Sequence, residues 1–435
     1  MKVFKFGGAS LKDAAGIKNV ASILEMYRKE TLVIVVSAMG KTTNALEAVI
    51  AAHAAQNGEA RGLLQKVREQ HEALMRDLFA PGDEVFAAVN DTFVEAEWVL
   101  DEAPAPNYDY MYDQIIGVGE LVSSRIVAAY LQSVGMRTQW LDARDVVKTD
   151  NTYREGWVIW DKTKECARKI LEPMLAQGGF VLTQGFIGSS SENFTTSLGR
   201  EGSDYSAAIF SHCLDAEEMV IWKDVPGVLN ADPRLFENVV KLDRLSYREA
   251  IEMTYYGAQV IHPKTIKPLQ NKSIPLFVKS FLDPAGAGTE ISSDTEDTYP
   301  PIIVVEKNQA LVHISTRDYS FVAEQHMARL FAKLADLRIF VNSMQNTAIS
   351  FTICVPNVKD RIESFIRDIQ DEFRCKVEDG LELITVRHYN EDTIANLKKG
   401  KVVLFEERIR NTLQMAVKNA PLVERREVEL ERAKG

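Results

Sequence analysis

The chain has 435 residues, room for about three domains at ~150 residues each, or two if one is large. Apolar residues make up 46% and charged residues 26%, which excludes disordered, collagen-like and disulfide-scaffold chains. The net charge of −11, from 51 Lys+Arg against 62 Asp+Glu, makes a poor non-specific nucleic-acid binder, because duplex binding rests on neutralising phosphates. A local basic pocket can still hold an anion.

Cys166, Cys213, Cys354 and Cys375 form no C-x-x-C pair and have no His at zinc-ligand spacing, so reduced thiols and no metal centre are expected. No apolar run approaches the ~18 residues of a membrane span. Met1–Ser10 has no apolar core of a signal peptide. The expectation is a cytoplasmic protein without membrane or nucleic-acid partners.

In chain order, Val3–Phe6 reads as a short buried strand broken by Gly7-Gly8-Ala9-Ser10. Leu11 to Lys29 carries helical spacing at Ile17, Val20, Ala21 and Leu24, and Leu32–Val36 is a continuous β-branched run. This is a crossover unit of a parallel sheet. A helix from Thr43 to about Gln56 follows, then a Glu/Ala/Leu/Arg-rich helical insertion over 59–100. The alternation resumes: helix Glu120–Gln132, strand Thr138–Leu141, helix Asp161–Gln177, strand Phe180–Thr183, helix Asp204–Cys213, strand Met219–Trp222. Such alternation predicts an α/β fold with helices on both sheet faces. The Gly/Ser/Thr-rich stretch 185–198 reads as a hairpin or flap.

Leu282 to Pro301, with DPAGAG and SSDTEDTYPP, has no periodicity and reads as a boundary. Beyond it come strand Ala310–Ser315, helix Glu324–Leu337, strands Ile339–Ser343 and Ile349–Val355, helix Lys359–Phe373, and a strand from Lys376. This β-α-β-β-α-β order is ferredoxin-like. Leu383–Arg387, Lys401–Phe405 and Thr412–Val417 add further strand candidates, and Glu424–Lys434 is a charged tail.

Two phosphate motifs fail. Gly40-Lys41-Thr42 lacks the first P-loop glycine, because position 35 is Val35. Gly117-Val118-Gly119 has Val122 where a dinucleotide fingerprint needs glycine. Four constellations remain, each with a plain structural reading beside a functional one. Lys5 with Gly7 and Gly8 reads as a phosphate cradle at a strand's carboxyl end, or as a lysine beside an ordinary turn. Arg200 to Asp204 reads as an anion site, or Ser203 and Asp204 simply cap a helix. Lys223 to Arg234 (KDVPGVLNADPR) reads as a nucleotide loop, or as two turns. Glu120 pairs with a substrate ammonium, or complements a helix dipole.

Taken together, KFGGAS (5–10), VVSAMGKTTNAL (35–46), GVGELVSS (117–124), TQGFIG (183–188), TSLGREGSDYSAA (196–208), WKDVPGVLNADPR (222–234) and YGAQVIHPKTI (256–266) resemble the aspartokinase branch of the amino-acid kinase family. They occur in family order across residues 2 to about 300. The resemblance implies a kinase sandwich with a mainly parallel sheet over 1–290. It implies phosphoryl transfer from Mg·ATP to the β-carboxylate of L-aspartate, the first step toward lysine, threonine and methionine. By similarity, Lys5 neutralises the transferring phosphoryl group, Gly7 and Gly8 cradle phosphates, and Asp204 organises Lys5. Arg200 clamps the α-carboxylate, Glu120 takes the ammonium, and Ser37, Thr43 and Ser203 orient the substrate. Lys223, Asp224, Leu229, Arg234 and Gln259 line the nucleotide site. The family usually has Thr at Ala9, Gly at Glu201, Tyr at Leu229 and often Lys at Gln259.

The C-terminal part resembles ACT regulatory domains: a full unit over about 309–380, and a stripped second unit from 301–308 and 381–420, followed by a tail at 421–435. ACT pairs imply a homodimer and an amino-acid effector. Two other readings compete: another acid kinase of the superfamily, such as an acetylglutamate kinase, and a non-catalytic amino-acid sensor with a decayed ATP site.

Overall fold

The computed structural model describes residues 1–419 apart from 259, 294–297 and 319, so Gln259 and the charged tail lie outside the described residues. By internal contacts the chain divides into two units, residues 1–228, 241–251 and 260–296, and residues 229–240, 252–259 and 297–435.

The first unit is built on an eight-stranded sheet. Its strands are β1 (Lys2–Phe6), β2 (Leu32–Val36), β3 (Thr138–Leu141), β4 (Phe180–Gln184), β7 (Glu218–Lys223), β8 (Arg244–Ser246), β9 (Leu276–Ser280) and β10 (Thr289–Ser292). Between them, β5 (Ile187–Ser189) and β6 (Thr195–Ser197) form a separate hairpin. The order is β3-β4-β2-β1-β7-β9-β10-β8, and every neighbouring pair is parallel except β9 with β10. The run LVIVV in β2 is buried at all five positions, as a strand covered on both faces requires. The helix α1 (Ala14–Glu25) starts at Asp13, whose carboxylate accepts from Gly16 N at 2.8 Å. It turns Ile17, Val20, Ala21 and Leu24 inward. Across the sheet Phe6 stacks on Trp222, with centroids 6.0 Å apart and planes 4° apart.

The helical insertion comprises α3 (Ala60–Arg76) and α4 (Glu84–Asp101), after α2 (Thr42–Ala54). Next come α5 (Tyr108–Ile116) and α6 (Val118–Ser133), which run on as one stretch, Tyr108–Ser133. By length and composition alone this 26-residue stretch matches a membrane span, but 78% of its apolar window is buried inside the fold. Its apolarity comes from its central position: Ile115, Ile116, Val122 and Ile126 share one core with Phe4, Ile34 and Leu182. The remaining helices here are α7 (Ala143–Val146), α8 (Trp160–Ala176), α9 (Gly202–Cys213), α10 (Tyr247–Tyr255) and α11 (Pro263–Gln270). β1 pairs with β2 on one side and β7 on the other. The strand order therefore reverses at β1, the place where open α/β sheets bind ligands.

The second unit holds a six-stranded antiparallel sheet ordered β12-β13-β11-β14-β16-β15. Its elements are β11 (Ile302–Thr316), α12 (Glu324–Asp336), β12 (Ser343–Asn346), β13 (Ser350–Pro356), α13 (Lys359–Ile369), β14 (Phe373–Arg387), α14 (Glu391–Lys398), β15 (Lys401–Ile409) and β16 (Thr412–Asn419). The two 15-residue strands β11 and β14 are shared by both halves of the sheet. Register shifts between Glu306 and Leu311 mark where one half gives way to the other. The half with α12 and α13 encloses Val312, Ile314, Leu330, Phe351 and Phe365. The other half carries the single short helix α14 and its own cluster around Val386, Ile394 and Met415. The four cysteines are free.

Three expectations shift. The strand expected over Ile339–Ser343 begins only at Ser343. Arg338 is left-handed (φ 52°) and Ile339 N donates to Leu334 O at 2.8 Å, so the Ile-Phe-Val alternation belongs to a helix exit. The helix expected to reach Phe373 stops at Ile369, and Phe373 opens β14 opposite Thr316. The aperiodic boundary over 282–301 contains β10, four residues that bury Ile291 completely.

Candidate active site

Lys5 stands near the carboxyl end of β1, buried with its Nζ 2.6 Å from Asp204 Oδ1 in the first turn of α9. The contact is ionic, since that oxygen makes no well-angled hydrogen bond. Their side chains are 11% and 6% exposed. A pair this enclosed resists separation, because removing one partner strands the other's charge away from water. The backbone then turns sharply. A Cβ on Gly7 would sit 3.4 Å from Lys5 Nζ, and one on Gly8 would sit 2.6 Å from Ala38 O. Gly40 N donates to Gly8 O at 3.0 Å. The loop after β1 therefore lies directly against the β2–α2 loop, which carries Ser37 and leads to Thr43. Both residues are half-buried.

Glu120 enters from α6. The two glycines that failed as a dinucleotide motif serve close packing instead. A Cβ on Gly119 would lie 3.1 Å from Thr42, 3.2 Å from Leu46 and 3.3 Å from Ala38. This approach brings the Glu120 carboxyl, 4% exposed, to the Ala38 amide. Burial pushes the carboxyl up to about 8, against the pull of the Ala38 and Glu120 amides. Among the described residues its Oε2 has no hydrogen-bond partner. A buried acid with one open oxygen and, among the described residues, no cation paired with it is suited to a ligand's positive charge. The sequence offered no sign of the Ala38 amide as its anchor, because a backbone donor leaves no residue-type signature.

Arg200 follows the β5–β6 hairpin. It is exposed and makes no side-chain ion pair or hydrogen bond among the described residues. Ser203 opens α9 beside Gly185, where an added Cβ would come within 2.5 Å of Ser203 Cβ. Glu201 adopts φ 54°, the left-handed conformation that favours glycine. Its carboxylate does not crowd the Arg200 side chain as a competing partner: it accepts from His262 N at 3.0 Å. His262 in turn caps α11 by accepting from Lys264 N, and burial lowers its affinity for a proton.

Lys223 and Asp224 follow at the carboxyl end of β7, beside β1. Asp224 is exposed, and Lys223 Nζ donates to Val260 O at 2.7 Å. Leu229 and Arg234 belong to the second unit. Arg234, with its side chain 81% exposed, is held bidentately by Asp232. In the first unit Lys5, Gly7, Gly8, Ser37, Lys223 and Asp224 lie at or just past the carboxyl ends of β1, β2 and β7. Asp204 joins them through Lys5 and Glu120 through the Ala38 amide, and Ser203 packs on Gly185 after β4. Among the described residues no hydrogen bond or ion pair ties Arg200 or Thr43 to them. Among the described residues no cluster of three His, Cys, Asp or Glu side chains is arranged to hold a metal ion.

The amino acid kinase family matches residues 1–280. The chain is 31% identical over 395 residues to lysine-sensitive aspartokinase 3 of Escherichia coli (strain K12), spanning 88% of this chain and 86% of that protein. The chain belongs to the aspartokinases. Solved aspartokinase structures extend the likeness through both units. E. coli aspartokinase III with aspartate and ADP superposes with a TM-score of 0.79 at 27% identity, covering 96% of each chain. The same enzyme with lysine and aspartate gives 0.81 at 27% identity, covering 96% of this chain and 95% of that one. The aspartokinase fold thus accounts for the parallel sheet and for the antiparallel, ACT-like sheet that follows it.

Proposed function

We propose that this aspartokinase transfers the γ-phosphoryl group of ATP to the β-carboxylate of L-aspartate, giving 4-phospho-L-aspartate and ADP. The observation that carries the reading is that two unlike sites meet adjoining loops, the one after β1 and the one after β2, which touch at Gly8 and Ala38. The buried Lys5–Asp204 pair sits at the end of β1, and among the described residues the Glu120 carboxyl is buried without a paired cation. A carboxylate is already a nucleophile, so the reaction needs positioning and charge stabilisation rather than a general base. Lys5 neutralises charge building on the transferring group. Asp204 holds the lysine in place. Gly7 and Gly8 let backbone amides approach the phosphates. Glu120 takes the substrate ammonium and Arg200 its α-carboxylate, while Ser37, Thr43 and Ser203 orient the acceptor. Lys223 and Asp224 face the nucleotide. The nucleotide roles of Leu229, Arg234 and Gln259 rest on the resemblance alone.

Mg2+ enters as Mg·ATP, carried by the triphosphate. The catalytic domain is assigned to 1–290 and the regulatory ACT-like region to 301–420, with a homodimer formed through that region, an amino-acid effector and a cytoplasmic location. The product feeds synthesis of lysine, threonine and methionine.

An acetylglutamate-type substrate fits less well, because its nitrogen carries no charge to meet Glu120. A coupled ADP-release assay separates the readings. L-aspartate gives turnover, N-acetyl-L-aspartate gives less than about a hundredth of its kcat/KM, and N-acetylglutamate gives none. Equal turnover with and without the ammonium overturns the role of Glu120. No turnover with any acid favours a sensor. Gln259→Lys adds a charge where many relatives have one and is expected to lower the KM for ATP, measured in the same assay.

A further inference from the structure

Asp113 is completely buried and plays no part in the chemistry above. Its carboxylate collects three donors: Ser197 Oγ at 2.6 Å, Ser197 N at 2.8 Å and Arg154 N at 2.9 Å. Burial nevertheless lifts it to about 6, against the pull of these three donors. The next residue grips the same strand. Gln114 Nε2 donates to Thr195 O at 2.9 Å, and its Oε1 accepts from Thr195 N at 3.1 Å. Two consecutive residues of α5 therefore hold alternate residues of β6. The same edge of β6 also takes Gly156 N, which donates to Ser197 O at 2.8 Å, and the opposite edge is paired with β5. Two residues then separate Ser197 from Arg200. In the other direction, Asp113 lies two helical turns before Glu120 on the continuous Tyr108–Ser133 stretch.

We propose that Asp113 is a positioning residue that sets the spacing between Glu120 and Arg200, and hence the fit of the substrate's ammonium and α-carboxylate ends. The proposal rests on the assignment of those two residues to aspartate. Asp113 Oδ2 accepts both backbone N–H groups while Oδ1 takes the Ser197 hydroxyl, so a side chain without an acceptor leaves two buried backbone donors unpaired. Alanine there leaves those donors unsatisfied, and the segment from β6 to Arg200 must shift relative to the helix carrying Glu120.

The test measures KM for aspartate and for ATP separately in Asp113→Ala, Ser197→Ala, Arg200→Met and the Asp113→Ala/Arg200→Met pair. Asp113→Ala is expected to raise the KM for aspartate about tenfold, with the KM for ATP within about twofold. Ser197→Ala, which loses one of three donors, gives about threefold and keeps the test open should Asp113→Ala fold poorly. The pair is expected to match Arg200→Met alone, since both changes act through one contact. If Arg200→Met raises the KM for aspartate and the Asp113 and Ser197 variants leave it unchanged, the proposal is overturned. A parallel rise in both KM values also overturns it, by showing a merely structural role. An unchanged KM in Arg200→Met instead overturns the assignment of Arg200, and the proposal with it.

Discussion

Lys5→Met is expected to lower kcat about a thousandfold while changing the KM for aspartate only a few-fold. The magnitude follows from removing one preorganised charge aimed at a developing one, an effect of about 10²–10³ in rate. The split follows from placement: Lys5 pairs with Asp204 at 2.6 Å, whereas aspartate's charged ends are assigned to Glu120 and Arg200. The same change leaves the Asp204 carboxylate buried without its cation, at a stability cost of about 3–5 kcal/mol. Asp204→Asn removes that stranded charge. The Lys5→Met/Asp204→Asn pair should therefore regain most of the lost stability in a urea titration and none of the lost turnover. Recovery of activity in the pair would show that Lys5 serves folding rather than catalysis.

Glu120→Gln gives the second large effect, and stability and function move in opposite directions. The KM for aspartate is expected to rise about a hundredfold, as a charged hydrogen bond and its Coulomb partner are lost. The sign of the stability change follows from the proton balance. Burial raises the folded carboxyl from 4.5 to about 8, so between those values the folded state holds more protons than the unfolded one. Stability contributed by Glu120 therefore falls as pH rises through that window. Glu120→Gln has no such fall. It should melt near the parent temperature at pH 5 and higher by ~5 °C at pH 8.5. Ligand binding reports the same group. An incoming ammonium favours the ionised form, so aspartate binding at pH 7 should release about one proton, read by calorimetry in two buffers of different ionisation enthalpy. No release, with unchanged melting curves, would place the ammonium elsewhere.

Much of the frame was legible because local pattern and tertiary place agree. Leu32–Val36 reads as a buried strand and is one, with all five residues covered. Thr138–Leu141 keeps its expected limits. The pattern misleads where an apolar alternation serves another purpose. Ile339 and Val341 pack beneath α12 and α13 at a helix exit while Phe340 stays 73% exposed. β10 escaped notice because only one residue in its four, Ile291, is a large apolar side chain. At the site, Lys5, Gly7 and Gly8 announce themselves as neighbours in sequence. Asp113 does not: its partners Ser197 and Arg154 lie 84 and 41 residues away. Arg234 was legible as a charge in a loop, but its bidentate hold by Asp232 is a property of the folded turn.

The most direct test traps the product. Purified protein is incubated with Mg·ATP, L-aspartate and hydroxylamine, and the hydroxamate is separated and identified. The account predicts β-aspartyl hydroxamate, formed only with ATP present and abolished in Lys5→Met. The α-hydroxamate would contradict the placement of the α-carboxylate on Arg200, and no hydroxamate from aspartate would contradict the reaction itself.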